Sequence, residues 1–262
     1  MRAPTITATM QRRILVNYRI EASALDSVVP PPFRPAPLDG YGVAGICLIR
    51  LGGIRPAGLP AALGVTSENA AHRFAVEWDT PDGPVTGVFI PRRDTSSRLT
   101  VVLGGRAFPG WHRRARFDVA EGDGRYRVAI TSRDGQVEVV VAARRADRVM
   151  PGSVFGTVDE ASTFFRCAPI GYAATPRPGV FDGVGLTAED WAIEPLHLDE
   201  ARSSFFDDPA RFPRGTAVVD SAFLMTDLDT TWEPQPDLVV ATTAPARSRQ
   251  SYSSSGKFNS GS

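Results

Sequence analysis

Gly105-Arg106-Ala107-Phe108-Pro109-Gly110-Trp111-His112-Arg113-Arg114 is the stretch on which the reading of this chain turns. Two glycines bracket a short turn with an aromatic and a proline. Two tandem cations then lead into an alternating run, Arg114 to Ala120, that reads as a strand. Neighbouring residues of a strand point to opposite faces, so one of Arg113 and Arg114 is expected inward and the other outward. Both are arginines, and Lys257, in a Ser/Gly-rich tail, is the only lysine of the chain. A guanidinium stays protonated to about pH 12 or beyond, so neither can supply the free amine that imine formation needs.

Strand signals surround this stretch. Before it, Ile14–Ile20 reads as a strand and Tyr41–Leu51 as a long buried one. Phe74–Trp78 and Val85–Ile90 form a hairpin about Pro81-Asp82-Gly83-Pro84. After it, Arg114–Ala120, Tyr126–Thr131 and Val137–Ala142 make a three-stranded meander, its second turn marked by Asp134-Gly135. Ala192–Leu198 and Ala217–Leu224 read as further strands. Helical spacing is confined to Glu21–Val29, Thr95–Leu103, Val158–Phe165 and Asp199–Phe206. The pattern is mainly β: an antiparallel domain with a few short peripheral helices. Residues 1–13 read as an N-terminal extension, 14–238 as the domain, and 239–262 as a disordered Ser/Gly-rich tail.

Composition excludes several classes. The 262 residues are 42% hydrophobic, enough for a substantial core, and the formal net charge is zero, leaving no electrostatic footprint for nucleic acid or an anionic membrane. No signal peptide is read at the N-terminus, and no apolar run reaches the ~18 residues of a membrane helix. Cys47 and Cys167 stand alone, which fits a reducing cytoplasm. His72, His112 and His197 lie far apart with no metal-ligand spacing, so no metal site is expected. Gly152-Ser153-Val154-Phe155-Gly156 is one residue out of frame for a nucleophile elbow and reads as a loop.

The signature stretch resembles the Gly-Arg-Glu-x-x-Gly-aromatic-Pro-Lys-Lys motif of the acetoacetate decarboxylase family. Both glycines, the arginine, the aromatic and the tandem cations match, while Ala107 and His112 replace the glutamate and proline. Val28-Val29-Pro30-Pro31-Pro32-Phe33 resembles the family's turn after its first helix. Ser67-Glu68-Asn69 and the Trp78–Gly87 hairpin resemble its glutamate-bearing strand. Asn69 and Arg73 look like the YqjF-like branch, which lacks the lysine pair. The resemblance implies an antiparallel β-barrel over 14–238. In the family, the first lysine forms a Schiff base with a β-keto acid; here that chemistry is not expected.

The resemblance also nominates site residues. Arg113, at the Schiff-base position, would clamp a carboxylate or enolate, with Arg106 beside it and Phe108 and Trp111 as walls. Glu68 and His112 would be proton-transfer groups. Surface or structural roles compete with each assignment. The expected ligand is a small organic, or keto, acid, with no cofactor; a homo-oligomer is left open. Two other functions stand beside this one: a lyase, hydratase or isomerase using Glu68 and His112 on a keto or enol substrate, and a non-catalytic binding module.

Overall fold

The computed structural model describes residues 4–103 and 110–240. Its strands are β1 (Ile6–Glu21), β2 (Arg34–Pro35), β3 (Pro37–Leu38), β4 (Tyr41–Pro56), β5 (Val65–Thr80), β6 (Gly83–Thr95), β7 (Arg113–Gly122), β8 (Arg125–Ser132), β9 (Glu138–Arg145), β10 (Ile170–Ala174), β11 (Val180–Ala188), β12 (Glu194–Ser203) and β13 (Ala217–Val239). Among the described residues three short α-helices accompany them, α1 (Ala22–Leu25), α2 (Arg98–Leu103) and α3 (Val158–Arg166), with one 3-10 turn at Ala61–Leu63. The last begins on a capping box, in which Thr157 and Glu160 satisfy each other's backbone N–H groups.

One wall organises the whole sheet. Strands β13, β1, β4, β5 and β6 lie side by side, all antiparallel. Beyond β6 the sheet forks. One half of β6 pairs parallel with β10, which pairs with β11, and β11 returns to the C-terminal half of β13. The other end of β6 pairs parallel with β7, and the meander β7–β8–β9 reaches β12 and then the N-terminal part of β13. The expected antiparallel barrel is therefore elaborated into two closed circuits that share the wall, with parallel seams where β6 meets β7 and β10.

Pleating divides the wall's side chains between two cores. Ile14, Val16, Ile46, Leu48 and Phe74 pack with Val128, Ile130, Val139 and Val141 of the meander. Their neighbours Leu15, Cys47, Ile49 and Ala75 face the other way, towards Phe155 and Phe223. Each fully buried Leu, Ile or Phe contributes about 1.5–3 kcal/mol.

Two ion clusters sit on the meander's side of the wall. Arg92 donates twice to Asp94, at 2.8 Å each, and also reaches Asp134 at 2.9 Å. Arg12 and Arg50 both pair with Glu68 and with Glu121. Asp94 is fully buried, and stripping a buried ion pair of one partner costs about 3–5 kcal/mol.

Several expectations need correction. Residues 6–13, set apart as an extension, form the first half of β1, because Ile6 and Ala8 are buried against Ile54. The helix expected over Glu21–Val29 is only the four residues of α1. Asp199–Phe206, helical by spacing, begins inside β12: pairing with Val139–Val141 overrides local preference. Strands β10 and β11 were not foreseen. The tail from 241 lies outside the described residues, and β13 runs to Val239.

His72 is fully buried beside Phe205 and Phe206, and neither ring nitrogen has a hydrogen-bond partner among the described residues. Burial, reinforced by Arg92 and Arg211, lowers its pKa to about 3. The neutral ring is thus favoured in the fold. Stability is lost as pH falls from the unfolded value near 6.5 towards 3, by up to ~1.4 kcal/mol per pH unit. His72→Leu should flatten the stability–pH profile between pH 6 and 4 in denaturant titrations; an unchanged acid slope would refute this account.

Candidate functional site

A cavity of about 580 Å³ opens on the face of the wall opposite the meander. It is bounded by β1, β4, β5 and β6, by β10 and β11, and by the end of α3. Four arginines line it: Arg13, Arg73, Arg93 and, exposed at the rim, Arg166. Among the described residues no Asp or Glu lines it. Residues 104–109 include no acidic residue either.

The strand register gathers three of these arginines. Cys47, Ala71 and Arg93 are directly paired across β4, β5 and β6. Arg13 pairs with Ile49, one pleat away, and Arg73 with Gly45. Arg73 is buried; its Nε donates to Cys47 Sγ at 3.1 Å, Nη2 donates to Asn17 Oδ1, and its guanidinium lies 4.9 Å from the Phe165 ring centre. Arg13 donates to the same sulfur at 3.6 Å and to Met225 Sδ at 3.9 Å. Among the described residues neither Arg13 nor Arg73 has a carboxylate within salt-bridge distance. Burial pushes the Cys47 thiol up, but the two guanidinium groups more than offset this and hold it below its ordinary value. Burial also lowers Arg73.

Arg93 stands near the end of the signature stretch. Burial lowers its pKa to about 10, against the opposing pull of Asp182. Asp182 accepts the Gly110 N–H at 2.5 Å, and burial raises its own pKa. Gly110 has φ +84°, and a Cβ there would lie 1.9 Å from Arg93 Nη1. His112 lines the cavity next to it, with Nδ1 3.1 Å from Gly110 O. A carbonyl only accepts, so Nδ1 carries the proton and Nε2 is left as an acceptor. Burial and then Arg93 lower the His112 pKa to about 3, so the ring is neutral at pH 7.

Of the six residues nominated from sequence, His112 lies on the cavity. Arg106 and Phe108 are outside the described residues. Arg113 points away: its side chain is 55% exposed and pairs with Asp134 at 2.9 Å, because the parallel pairing of β7 with β6 turns it towards the Arg92–Asp94 cluster. Trp111 is 49% exposed and does not line the cavity. Glu68 faces the meander's side of the wall, held by Arg12 and Arg50, since it alternates with the cavity residues Ser67 and Asn69. Arg13, Arg73 and Arg93 were missed as site residues. A signal for two of them was present: Arg12-Arg13 and Arg92-Arg93 are also tandem pairs on strands. In each pair one arginine meets an acid and the other faces the cavity.

Comparison with known proteins fits this architecture. Residues 7–172 match the model of DUF2071, described as an uncharacterized conserved protein. The chain belongs to this family. Searching curated proteins by sequence finds no match. Among solved structures, acetoacetate decarboxylase from Legionella pneumophila superposes with a TM-score of 0.58 at 11% identity, covering 91% of this chain and 88% of that one. An acetoacetate decarboxylase-like enzyme from Sphingomonas wittichii RW1 gives 0.56 at 11% identity over 92% and 94%. The enduracididine biosynthesis enzyme MppR, in complex with pyruvate, gives 0.53 at 13% identity over 91% of each chain. The DUF2071 chain thus has the acetoacetate decarboxylase-like fold. No helix among the described residues is long and apolar enough to cross a membrane.

Gly110 is where the left-handed backbone and the Arg93 packing coincide. Gly110→Ala should cost at least about 1–2 kcal/mol from the backbone alone, measured as a lowered denaturation midpoint. A midpoint equal to that of the parent protein would show that the loop accommodates a side chain and that Arg93 is not held by it.

Proposed function

We propose that the cavity binds a small organic acid, its carboxylate or enolate held by Arg13, Arg73 and Arg93. The observation that carries this reading is a half-open cavity lined, among the described residues, by four arginines and no carboxylate. Arg13 and Arg73 have no carboxylate within salt-bridge distance among the described residues; such a cationic site is costly to desolvate, and an anionic ligand offsets that cost. Among the described residues Arg13 and Arg73 donate to sulfur and amide acceptors, weaker partners than a carboxylate. Guanidinium groups present the paired donors that a carboxylate accepts. The related fold of MppR, solved with pyruvate, supports a keto acid as ligand. Two free cysteines support a reducing, cytoplasmic setting.

The proposed mode of binding is non-covalent. The only lysine is Lys257, so no lysine is available between residues 1 and 256 to form an imine. Treatment with acetoacetate and borohydride should therefore leave residues 4–240 unmodified in mass spectrometry, once the N-terminal amine is controlled for. A substrate-sized adduct inside that range would contradict the proposal.

One observation favours a catalytic variant of this reading. The Gly110 carbonyl fixes the tautomer of His112 so that Nε2 can accept a proton from a bound keto or enol form. A bound anion would oppose the depression of its pKa that burial and Arg93 produce. Glu68 is engaged by two arginines, so this acid–base reading of a lyase, hydratase or isomerase rests on His112.

Binding should be testable by thermal shift with small carboxylic and 2-oxo acids. Arg73→Met and Arg13→Met, which keep most of the side-chain volume, should each weaken binding by about 10–100-fold, the loss of one charge-assisted bond of ~1.5–3 kcal/mol. Arg113→Met, on the surface, should leave binding unchanged. Equal affinity in all three variants, or loss only in Arg113→Met, would remove the cavity as the site.

A further inference from the structure

The cavity is larger and more one-sided than a three- or four-carbon acid requires. We infer that its ligand is an amphipathic acid, with an anionic head at the arginines and an extended alkyl or aryl body along the wall. This rests on the reading of the cavity as an acid site.

The lining changes character along β4. Cys47, at the level of Arg93, is followed by Ile49, Leu51 and Ile54, all on the cavity. Seven residue steps lead from Cys47 to Ile54, at most about 23 Å at ~3.3 Å each and less for the bulge between Leu51 and Ile54. At the far end Ile54 is packed with Ile6, and Trp232 is paired in register with both Ile6 and Leu186. Arg13, Arg73 and Arg93 sit at the opposite end, within a pleat or so of Cys47 and Ile49.

The tryptophans sharpen the assignment. Trp191 and Trp232 both line the cavity, yet their indole N–H groups already donate, to Ser162 Oγ at 3.1 Å and Thr230 Oγ1 at 3.3 Å. What they offer a ligand is ring surface. Ser67 and Asn69, in register with Leu51 and Ile49, bond to each other, and Asn69 also to Thr95. A polar body would find few partners along these walls, whereas an apolar one gains from every carbon it buries. A volume of 580 Å³ lies within the ~300–1,000 Å³ of sites that enclose drug-sized molecules. A three-carbon acid would fill only the arginine end.

Calorimetric titration of the full chain with 2-oxobutanoate, 2-oxohexanoate, 2-oxooctanoate and 2-oxodecanoate tests this, with 2-decanone as the uncharged comparison. Each added methylene should tighten binding about fourfold, following a transfer gain of ~0.8 kcal/mol per CH₂. Leu51→Trp, which fills the apolar end, should lower the ratio of 2-oxodecanoate to 2-oxobutanoate affinity at least tenfold. Should that variant fail to fold, Trp232→Leu strips the same wall and should lower the same ratio. Equal affinity along the series would overturn the amphipathic ligand while leaving the acid site standing. If no acid binds, or if 2-decanone binds as tightly as 2-oxodecanoate, the acid site falls with it.

Discussion

Side-chain alternation along β1, β4 and β5 is the constraint from which the rest of the molecule follows. Each of these strands is part of two closed circuits, so consecutive residues answer to different environments. On one face they must match the valines of β8 and β9; on the other they frame the cavity. Arg12 and Arg13 show the division most plainly. One is paired with Glu68 and Glu121, and its neighbour donates to Cys47 and Met225. A shift of register by one residue would exchange them, placing a cavity arginine among acids and a paired arginine in the cavity. The hydrophobic pattern on both faces opposes such a shift.

The parallel seams between β6 and its two later partners are short, and polar groups reinforce them. Arg92, Asp94, Asp134 and Arg113 tie β6 to the β8–β9 turn and to the start of β7. Asp134 is held well below the usual carboxylate range, by Arg92 first and then by Ser132, Arg113 and the Gln136 N–H. On the other branch Asp182 of β11 reaches the Gly110 N–H, fixing the entry to β7 against the cavity. The described end of the signature stretch, Gly110 to Arg114, therefore joins the two circuits, and Arg113 serves the join rather than the cavity.

Much of the architecture was legible in the residues. The Asp134-Gly135 turn and the valine run after it gave the meander, and the spacing of Val158–Phe165 gave α3 within one residue. Both are local signals. Strands β10 and β11 were not legible: β10 has five residues, glycines interrupt both at Gly171, Gly183 and Gly185, and beyond their mutual pairing they are held by distant strands, β6 and β13. The cavity was half legible. Opposite faces for paired arginines is sound physics and holds at Arg12-Arg13 and Arg92-Arg93, but which face encloses space depends on the fork of the sheet. His112 was found through the signature; Arg73, with no tandem partner and just outside the strand read from Phe74, was marked by the family resemblance but not as a cavity residue.

The shared wall also bears on how a protein of this kind changes over generations. Residues packed against the meander and residues that line the cavity alternate one by one along these strands. A replacement on the cavity face need not disturb the packing against the meander. Such a scaffold tolerates extensive exchange at alternate positions. Superposition on acetoacetate decarboxylase over some nine-tenths of the chain at 11% identity shows how far the sequence can differ while the fold is kept.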